Sequence, residues 1–259
     1  MLRSLLFAAA FYLVTALFLA GGSWLLLAPR AWAMYALKLH ARTCCWLLRH
    51  IAGVRMDVRG RENLPPAPCL VVSKHQSAWE TFALIPLLTD PAIVLKDELK
   101  WIPFYGWFCV KFDHILVRRD KAAVALKAMI AGAQDRVAHG REVVIFPEGT
   151  RRVPGAAPAY KPGYVALYEA LGVLCVPVAL NSGLYWPRRS LMRTPGTIVI
   201  EFLPPFPAGL PRKEFRRQFE ERLEAACDRL LVEAANAPSP PPLPAEALAK
   251  VSALNENRT

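Results

Sequence analysis

From Ser4 to Pro29 the chain carries no charged residue, reading SLLFAAAFYLVTALFLAGGSWLLLAP. As a single helix, residues 5–28 would extend about 36 Å at about 1.5 Å per residue, longer than a hydrocarbon core of about 30 Å. A signal peptide has a shorter apolar region, about 7–15 residues. A helix this uniform is also rare inside a soluble domain. The run therefore predicts a membrane helix, spanning or re-entrant, with Gly21-Gly22 leaving room for a bend. Only Arg3 precedes it, whereas Arg30, Lys38, Arg42, Arg49, Arg55 and Arg59 follow, with Asp57 the single acid of the first sixty residues. By the positive-inside rule, the domain that follows faces the cytoplasm, at an inner membrane.

On a helical wheel over residues 31–52, Lys38, Arg42 and Arg49 fall within about 40° of one another. Leu37, Cys44, Leu47, Leu48 and Ile51 gather opposite them, and Trp32, Tyr35 and Trp46 flank the basic stripe. That pattern predicts a helix lying on anionic headgroups. It also fits an amphipathic helix packed on the domain.

The whole chain has 259 residues, with 32 Lys and Arg against 21 Asp and Glu, a net charge of +11. Hydrophobic residues make up 54% of it, and the mean hydropathy is +0.24. A disordered chain would be charged and poor in aliphatics. The 23 Pro and 14 Gly show no period, which excludes a collagen-like or coiled-coil chain. Charges punctuate everything after the first thirty residues, so a multi-span transporter is excluded too. The six cysteines form no C-x-x-C pair and no secreted-domain spacing, which predicts reduced thiols, mostly buried. The five histidines show no metal-ligand spacing, and neither a metal nor a cofactor is expected.

After residue 54 short Val/Ile/Leu-rich runs alternate with helical ones. Strands are expected at 55–58, 69–73, 92–95, 115–118, 142–146, 174–179 and 197–202, and helices at 79–88, 120–138, 162–170 and 211–235. The runs lack strict polar alternation, as strands covered on both faces do. The fold class is therefore α/β, a mainly parallel central sheet flanked by helices, with an N-terminal membrane-associated helical pair. The expected division is 1–53 for the helical pair, 54–236 for the α/β domain and 237–259 for a Pro-rich, unstructured tail.

Site-type residues follow three of these strands. In SKHQSAWE, His75 and Glu80 stand at a strand-to-helix turn where a carboxylate can hold one imidazole nitrogen while the other takes a proton. Such a pair is also common as helix-start polar groups. In FPEGTRR, Glu148, Gly149, Thr150, Arg151 and Arg152 offer a turn, a hydroxyl and two guanidiniums, an inventory suited to a phosphate monoester. Arg118 and Arg119 end another strand. Ligands of open α/β sheets collect at the carboxyl ends of strands. No G-x-S-x-G is present, so Ser77 is not read as a nucleophile.

This ordered set resembles the 1-acyl-glycerol-3-phosphate acyltransferase family, the bacterial lysophosphatidic acid acyltransferases in particular. His75 with Glu80 resembles its first block. Lys96-Asp97-Glu98-Leu99 and Ile102-Pro103, with Gly106 and the strand to Arg119, resemble its second. FPEGTR matches the third, Val176-Pro177-Val178 is similar to the fourth, and Lys161-Pro162-Gly163 sits where the family has Lys-x-Gly. The resemblance implies an acyltransferase of phospholipid biosynthesis that moves a fatty acyl group from acyl-CoA or acyl-carrier protein to the sn-2 hydroxyl of lysophosphatidic acid, giving phosphatidic acid. It implies His75 as general base, Glu80 as its partner, and Arg119, Glu148, Gly149, Thr150, Arg151 and Lys161 as substrate-binding residues. Two positions depart from the family pattern. Glu80 stands where Asp is usual, and Arg118 where an acid is usual.

Backbone amides near the His75 turn are the expected donors to the reaction's oxyanion. The aromatic stretch Trp101–Phe112 could line an acyl path, dip into the bilayer or pack in the core. A related acyltransferase for another lysophospholipid or for glycerol-3-phosphate would share the same blocks. A non-enzymatic basic membrane-binding or nucleic-acid-binding protein would account for the charge, but for neither His75 nor FPEGTR. The placement of the charge points to membrane lipids as partners and not to nucleic acid.

Overall fold

The computed structural model describes residues 1–118 and 122–256. The apolar run forms a helix, α1 (Leu2–Gly21), that stops at the glycine pair. A 3₁₀ turn, Ser23–Leu26, leads into α2 (Arg30–Leu47), which closes in a π-helical turn over Leu48–Ala52. The α/β part then runs β1 (Val54–Arg59), β2 (Leu70–Ser73), α3 (Glu80–Ala83), β3 (Ala92–Lys96), α4 (Tyr105–Lys111), β4 (Ile115–Val117), α5 (Ala122–Ala138) and β5 (Val143–Ile145). It continues with α6 (Gly163–Leu171), β6 (Cys175–Leu180), α7 (Ser182–Tyr185), β7 (Gly196–Phe202), α8 (Arg212–Ala235) and α9 (Ala245–Glu256).

The seven strands form one sheet in the order β1-β7-β6-β2-β5-β3-β4. Every neighbouring pair is parallel except β6 with β7, where Val178 lies opposite Phe202. The parallel pairs are joined by crossovers, while the chain between β6 and β7 turns back past the single turn of α7, as an antiparallel neighbour allows. The sheet is apolar on both faces because its five inner strands each serve two cores, while the edge strands β1 and β4 serve one each. Val71, Val144, Val176 and Val178 face α1, α2 and α3, with Trp79, Phe82 and Trp186. Leu70, Val72, Val143, Ile145 and Cys175 face α5, α6 and α8, with Tyr164, Tyr168, Phe215 and Phe219. The Tyr168 and Phe215 rings stack 3.6 Å apart.

The structure sharpens or corrects the sequence expectation for the N-terminal hairpin and the C-terminal tail at three points. First, α1 ends at Gly21, and one of its faces belongs to the domain. Phe7 is fully buried edge-on to Trp186 at 5.3 Å, and Arg3 Nε donates to Ile51 O at 2.8 Å. Its other face is bare, with Leu6, Tyr12, Leu13 and Leu17 exposed. Among the described residues α1 is the one helix long and apolar enough to cross a membrane. Second, α2 is packed on the domain, with Ala33, Met34, Ala41, Cys44 and Leu47 buried. Lys38 of the basic stripe turns inward, donating to Leu88 O at 2.9 Å and Thr89 O at 2.7 Å, because those loop carbonyls have no strand to pair with. Third, the tail is not unstructured over its length. Residues 245–256 form α9, held by Lys250 on Asp228 of α8 at 2.6 Å and by Ala247, which is fully buried beside Gly155.

A buried guanidinium ties the amino ends of β3, β4 and β5. Arg141 is 3% exposed and reaches Asp90, Asp113 and the carbonyls of Pro91 and Phe112. Arg30 of α2 pairs with the same Asp90, fastening the hairpin to the sheet. His114 lies against this cluster and accepts from Ile93 N at 3.3 Å through Nδ1. Burial, followed by the charge of Arg141, pulls the His114 pKa down to about 3. The folded protein therefore keeps this ring neutral, whereas the unfolded chain protonates it near pH 6.5. The stability His114 contributes is present above pH 6.5 and is lost as pH falls from there toward 3. Wild type should lose up to about 1.4 kcal/mol per pH unit more than His114→Gln between pH 6.5 and 4.5, read by denaturant titration at each pH. Parallel curves for the two proteins would refute this.

Candidate active site

The strands β6, β2 and β5 lie side by side, so their carboxyl ends bring three loops together. β2 delivers Lys74 and His75, β5 delivers Phe146 to Arg152, and β6 delivers Asn181 and Ser182. His75 Nδ1 lies 2.9 Å from Glu80 Oε1. The same oxygen accepts from Gln76 N and Ser77 N, each at 2.7 Å, and Oε2 accepts from Ser182 Oγ at 2.8 Å. Glu80 is fully buried, so these four donors replace its hydration. Glu80 opens α3 and curls back over its own turn, which is how the longer carboxylate meets the ring. With the acceptor on Nδ1, the ring proton sits there and Nε2 carries the lone pair. The ring also stacks on Phe146 at 4.5 Å, and its side chain keeps 15% of its surface open.

Glu148 has a different role from the one its motif suggests. It is 2% exposed, Oε1 accepts from Lys74 Nζ at 2.8 Å, and Oε2 accepts from His75 N at 2.9 Å. Both oxygens are thus occupied within the protein. On the far side His75 O accepts from Arg152 N at 2.7 Å, so the FPEGTR segment holds the His75 backbone at both its polar atoms. Lys74 also donates to Glu224 of α8 at 2.9 Å and lies over the Tyr160 ring. Burial works against the ammonium, but Cys227 and the carboxylates of Glu148 and Glu224 outweigh it and hold the Lys74 pKa above the usual lysine range.

The amides of His75, Gln76 and Ser77 all donate to carboxylates, so the expectation that this turn supplies the oxyanion donors does not hold for these three. Gly149 adopts φ +64, and a Cβ there would come 3.3 Å from Lys161 Nζ. Lys161 N in turn donates to Pro147 O at 2.9 Å, so the two expected residues do meet. Thr150 is exposed at the tip of the turn and Arg151 is half-buried beside it. Arg118 follows β4, the edge strand, away from His75, and Arg119 lies outside the described residues. Cys44, Cys69 and Cys227 are free thiols that burial pushes up to about 12, so none is a ready thiolate nucleophile.

A cavity of 540 Å³ adjoins this turn at Ala78, Thr81 and Arg151. Its walls are mostly apolar: Phe11, Phe18 and Leu19 of α1, Leu37 of α2, and Tyr105, Phe108 and Phe112. The aromatic stretch therefore divides, with Tyr105, Phe108 and Phe112 on the cavity while Trp101, Phe104 and Trp107 are exposed. Sequence reading missed Lys74, Ser182 and this cavity. Ser182 had a usable signal, a polar pair immediately after a buried strand. The cavity had a partial signal in the aromatic stretch, but the share of its wall supplied by α1 had none, because that run was assigned wholly to the bilayer.

The Lys74 cluster predicts a stability effect. Lys74→Met would leave Glu148 and Glu224 buried without their counter-charge, at a cost of about 3–5 kcal/mol read from the denaturant midpoint. A midpoint within about 0.5 kcal/mol of wild type would show that the ammonium is dispensable.

Residues 55–181 match the acyltransferase family model. The chain is 35% identical over 204 residues to a 1-acyl-sn-glycerol-3-phosphate acyltransferase of Pseudomonas aeruginosa, covering 79% of each. It is 30% identical over 173 residues to the alpha form of that enzyme from Mus musculus, covering 65% of this chain and 58% of the mouse protein. The crystal structure of the 1-acyl-sn-glycerophosphate (LPA) acyltransferase PlsC from Thermotoga maritima shares the fold, with a TM-score of 0.73 over 88% of this chain and 97% of that one at 21% identity. A His–carboxylate pair at the end of a parallel strand, the FPEGTR turn bonded to it and this likeness over four-fifths of the sequence converge: the chain belongs to the 1-acyl-sn-glycerol-3-phosphate acyltransferase family and is an acyltransferase of phospholipid biosynthesis.

Proposed function

We propose that the protein transfers a fatty acyl group from acyl-CoA or acyl-carrier protein to the sn-2 hydroxyl of 1-acyl-glycerol-3-phosphate, producing phosphatidic acid. The observation that carries this reading is the His75–Glu80 pair, a partly open imidazole on a buried carboxylate, at a strand end beside a mostly apolar cavity of 540 Å³. That volume lies within the range of small-molecule sites. His75 Nε2 takes the proton of the acceptor hydroxyl as its oxygen attacks the thioester carbonyl. The C–O bond forms, the C–S bond breaks, and the imidazolium returns the proton to the leaving thiolate. Glu80 holds the tautomer and stabilises the transient imidazolium. The thioester supplies the activation, so the reaction calls on no metal or cofactor.

Gly149, Thr150, Arg151, Lys161 and Arg119 are proposed to bind the glycerol phosphate, with guanidinium and backbone donors suited to a dianion. Glu148 contributes by positioning, since its oxygens hold Lys74 and the His75 amide. Fixing the acceptor on this edge makes the encounter with the donor a positioned one. The protein is proposed to sit on the inner membrane with the α/β domain in the cytoplasm. The bare face of α1 and the exposed Trp24, Leu27, Trp101 and Trp107 would lie against lipid.

The test is turnover with radiolabelled acyl-CoA and acyl-carrier protein against a panel of lysophosphatidate, other lysophospholipids and glycerol-3-phosphate. Phosphatidate should be the main product, and His75→Ala should lower kcat by at least about 10²-fold with its fold intact. Normal turnover by His75→Ala, or a preference for another acceptor, would overturn the reading.

A further inference from the structure

The loop between α7 and β7, WPRRSLMR (Trp186–Arg193), lies outside every block that resembles the family, yet it forms one end of the cavity. Arg189, Ser190 and Arg193 line that end together with Arg151 of the FPEGTR turn. Arg188 fixes the loop to that turn, donating from Nη1 to Arg151 O at 3.0 Å. Arg193 is tied to α1 through Ser4, whose Oγ accepts from Arg193 N at 3.0 Å.

Arg193 is a buried charge without a counter-charge. It is 8% exposed, and among the described residues no carboxylate lies within ion-pair distance of it or of Arg189. Its Nη1 donates to the carbonyls of Ser190 and Met192, each at 2.8 Å, and its guanidinium lies 4.0 Å from the Trp186 ring. Its Nε, however, is buried with no partner. Burial pulls the Arg193 pKa down to about 10, with Tyr12 acting weakly the other way, so the group remains charged at neutral pH. Buried charges in proteins are paired or hydrogen-bonded, and guanidiniums suit phosphate. A cavity apolar along most of its length and triply cationic at one end matches a single-chain amphiphile with an anionic head.

Resting on the function proposed above, we infer that Arg189 and Arg193 act with Arg151 as a phosphate clamp, holding the acceptor's head at the cationic end of the cavity with its acyl chain in the apolar remainder. In 1-acyl-glycerol-3-phosphate only the glycerol separates the phosphate from the acyl ester. In an acyl thioester of CoA or acyl-carrier protein the pantetheine arm lies between them. Cations and apolar wall sharing one cavity therefore favour the acceptor over the donor as the source of the phosphate.

The experiment is calorimetric titration of the full chain in phosphatidylcholine nanodiscs with hexadecyl phosphate, using hexadecanol as the neutral control. Wild type should prefer the phosphate by at least about tenfold, and Arg193→Gln and Arg189→Gln should each remove most of that preference. Both variants should raise the KM for lysophosphatidate and leave the KM for the acyl donor unchanged. Arg189 is exposed, so its variant remains decisive should Arg193→Gln fail to fold. An undiminished preference in Arg189→Gln overturns the clamp. So does a rise confined to the donor KM, which would assign the phosphate to the donor. Loss of binding to anionic vesicles alone would assign it to membrane headgroups and overturn the clamp equally. An Arg-dependent preference in a protein that fails to acylate lysophosphatidate leaves the clamp standing and removes the proposed function. Normal turnover with Arg-independent binding does the reverse.

Discussion

The carboxylate of Glu80 is the interaction on which the catalytic end of the sheet depends. It is fully buried, and it is tolerable there because four donors from two stretches of chain, His75–Ser77 and Ser182, converge on it. Two are the amides of its own turn, which fix the backbone between β2 and α3. The third is the ring of His75, whose tautomer it sets. The fourth is the Ser182 hydroxyl, which ties the turn to the end of β6, more than a hundred residues away in sequence. A half-satisfied carboxylate in that position would be worse than an apolar side chain. The turn, the His75 ring and the neighbouring strand end are therefore fixed together.

A second network backs the first from the opposite face. Lys74 and His75 are adjacent, and their side chains take different partners, Lys74 reaching Glu224 of α8 and His75 reaching Glu80 and Phe146. Glu148 joins the two by accepting from the Lys74 ammonium and from the His75 amide. With Arg152 N on His75 O, the FPEGTR segment continues the β2–β5 pairing past the ends of both strands. The invariably charged appearance of that motif in this sequence thus hides two functions. Glu148 faces inward and holds the His75 turn, while Arg151 lines the cavity.

The central strands β2, β5 and β6 were legible in the sequence because each is buried on both faces and so reads as a continuous apolar run bounded by polar residues. All seven expected strands are present, shifted by at most a residue or two at their ends. The reversal of β7 was not legible, since an apolar strand reads alike in either direction and only the length of its connection hints at the turn. Nor was α9, where the proline run reads as disorder and the helix gains its place from Ala247 against Gly155 and Lys250 on α8. His75, Glu80 and the FPEGTR turn were legible as motifs. The direction in which Glu148 points was not, because that depends on Lys74, a residue whose burial only the packing of α8 creates. Lys38 and Arg193 failed to announce themselves for a related reason. A cation read along a helix or loop looks solvated until a carbonyl or a ring from elsewhere covers it.

The N-terminal hairpin resolves an apparent excess in this chain. One of the two cores is completed by this hairpin, through Phe7, Ala41, Cys44 and Leu47, yet α1 leaves much of its surface bare. Its other face, however, supplies Phe11, Phe18 and Leu19 to the cavity wall and Phe7 to Trp186 beside the cationic loop. Without α1 the apolar groove over α3 and α4 would open to solvent, and Arg193 would lose the Phe7 ring, 5.7 Å from its guanidinium, and the serine that holds its backbone. The same helix thus has one side suited to lipid and one side suited to a lipid's acyl chain. Under the function proposed above, an acyl chain passing from the membrane beside α1 into the cavity would move from one apolar surface to another.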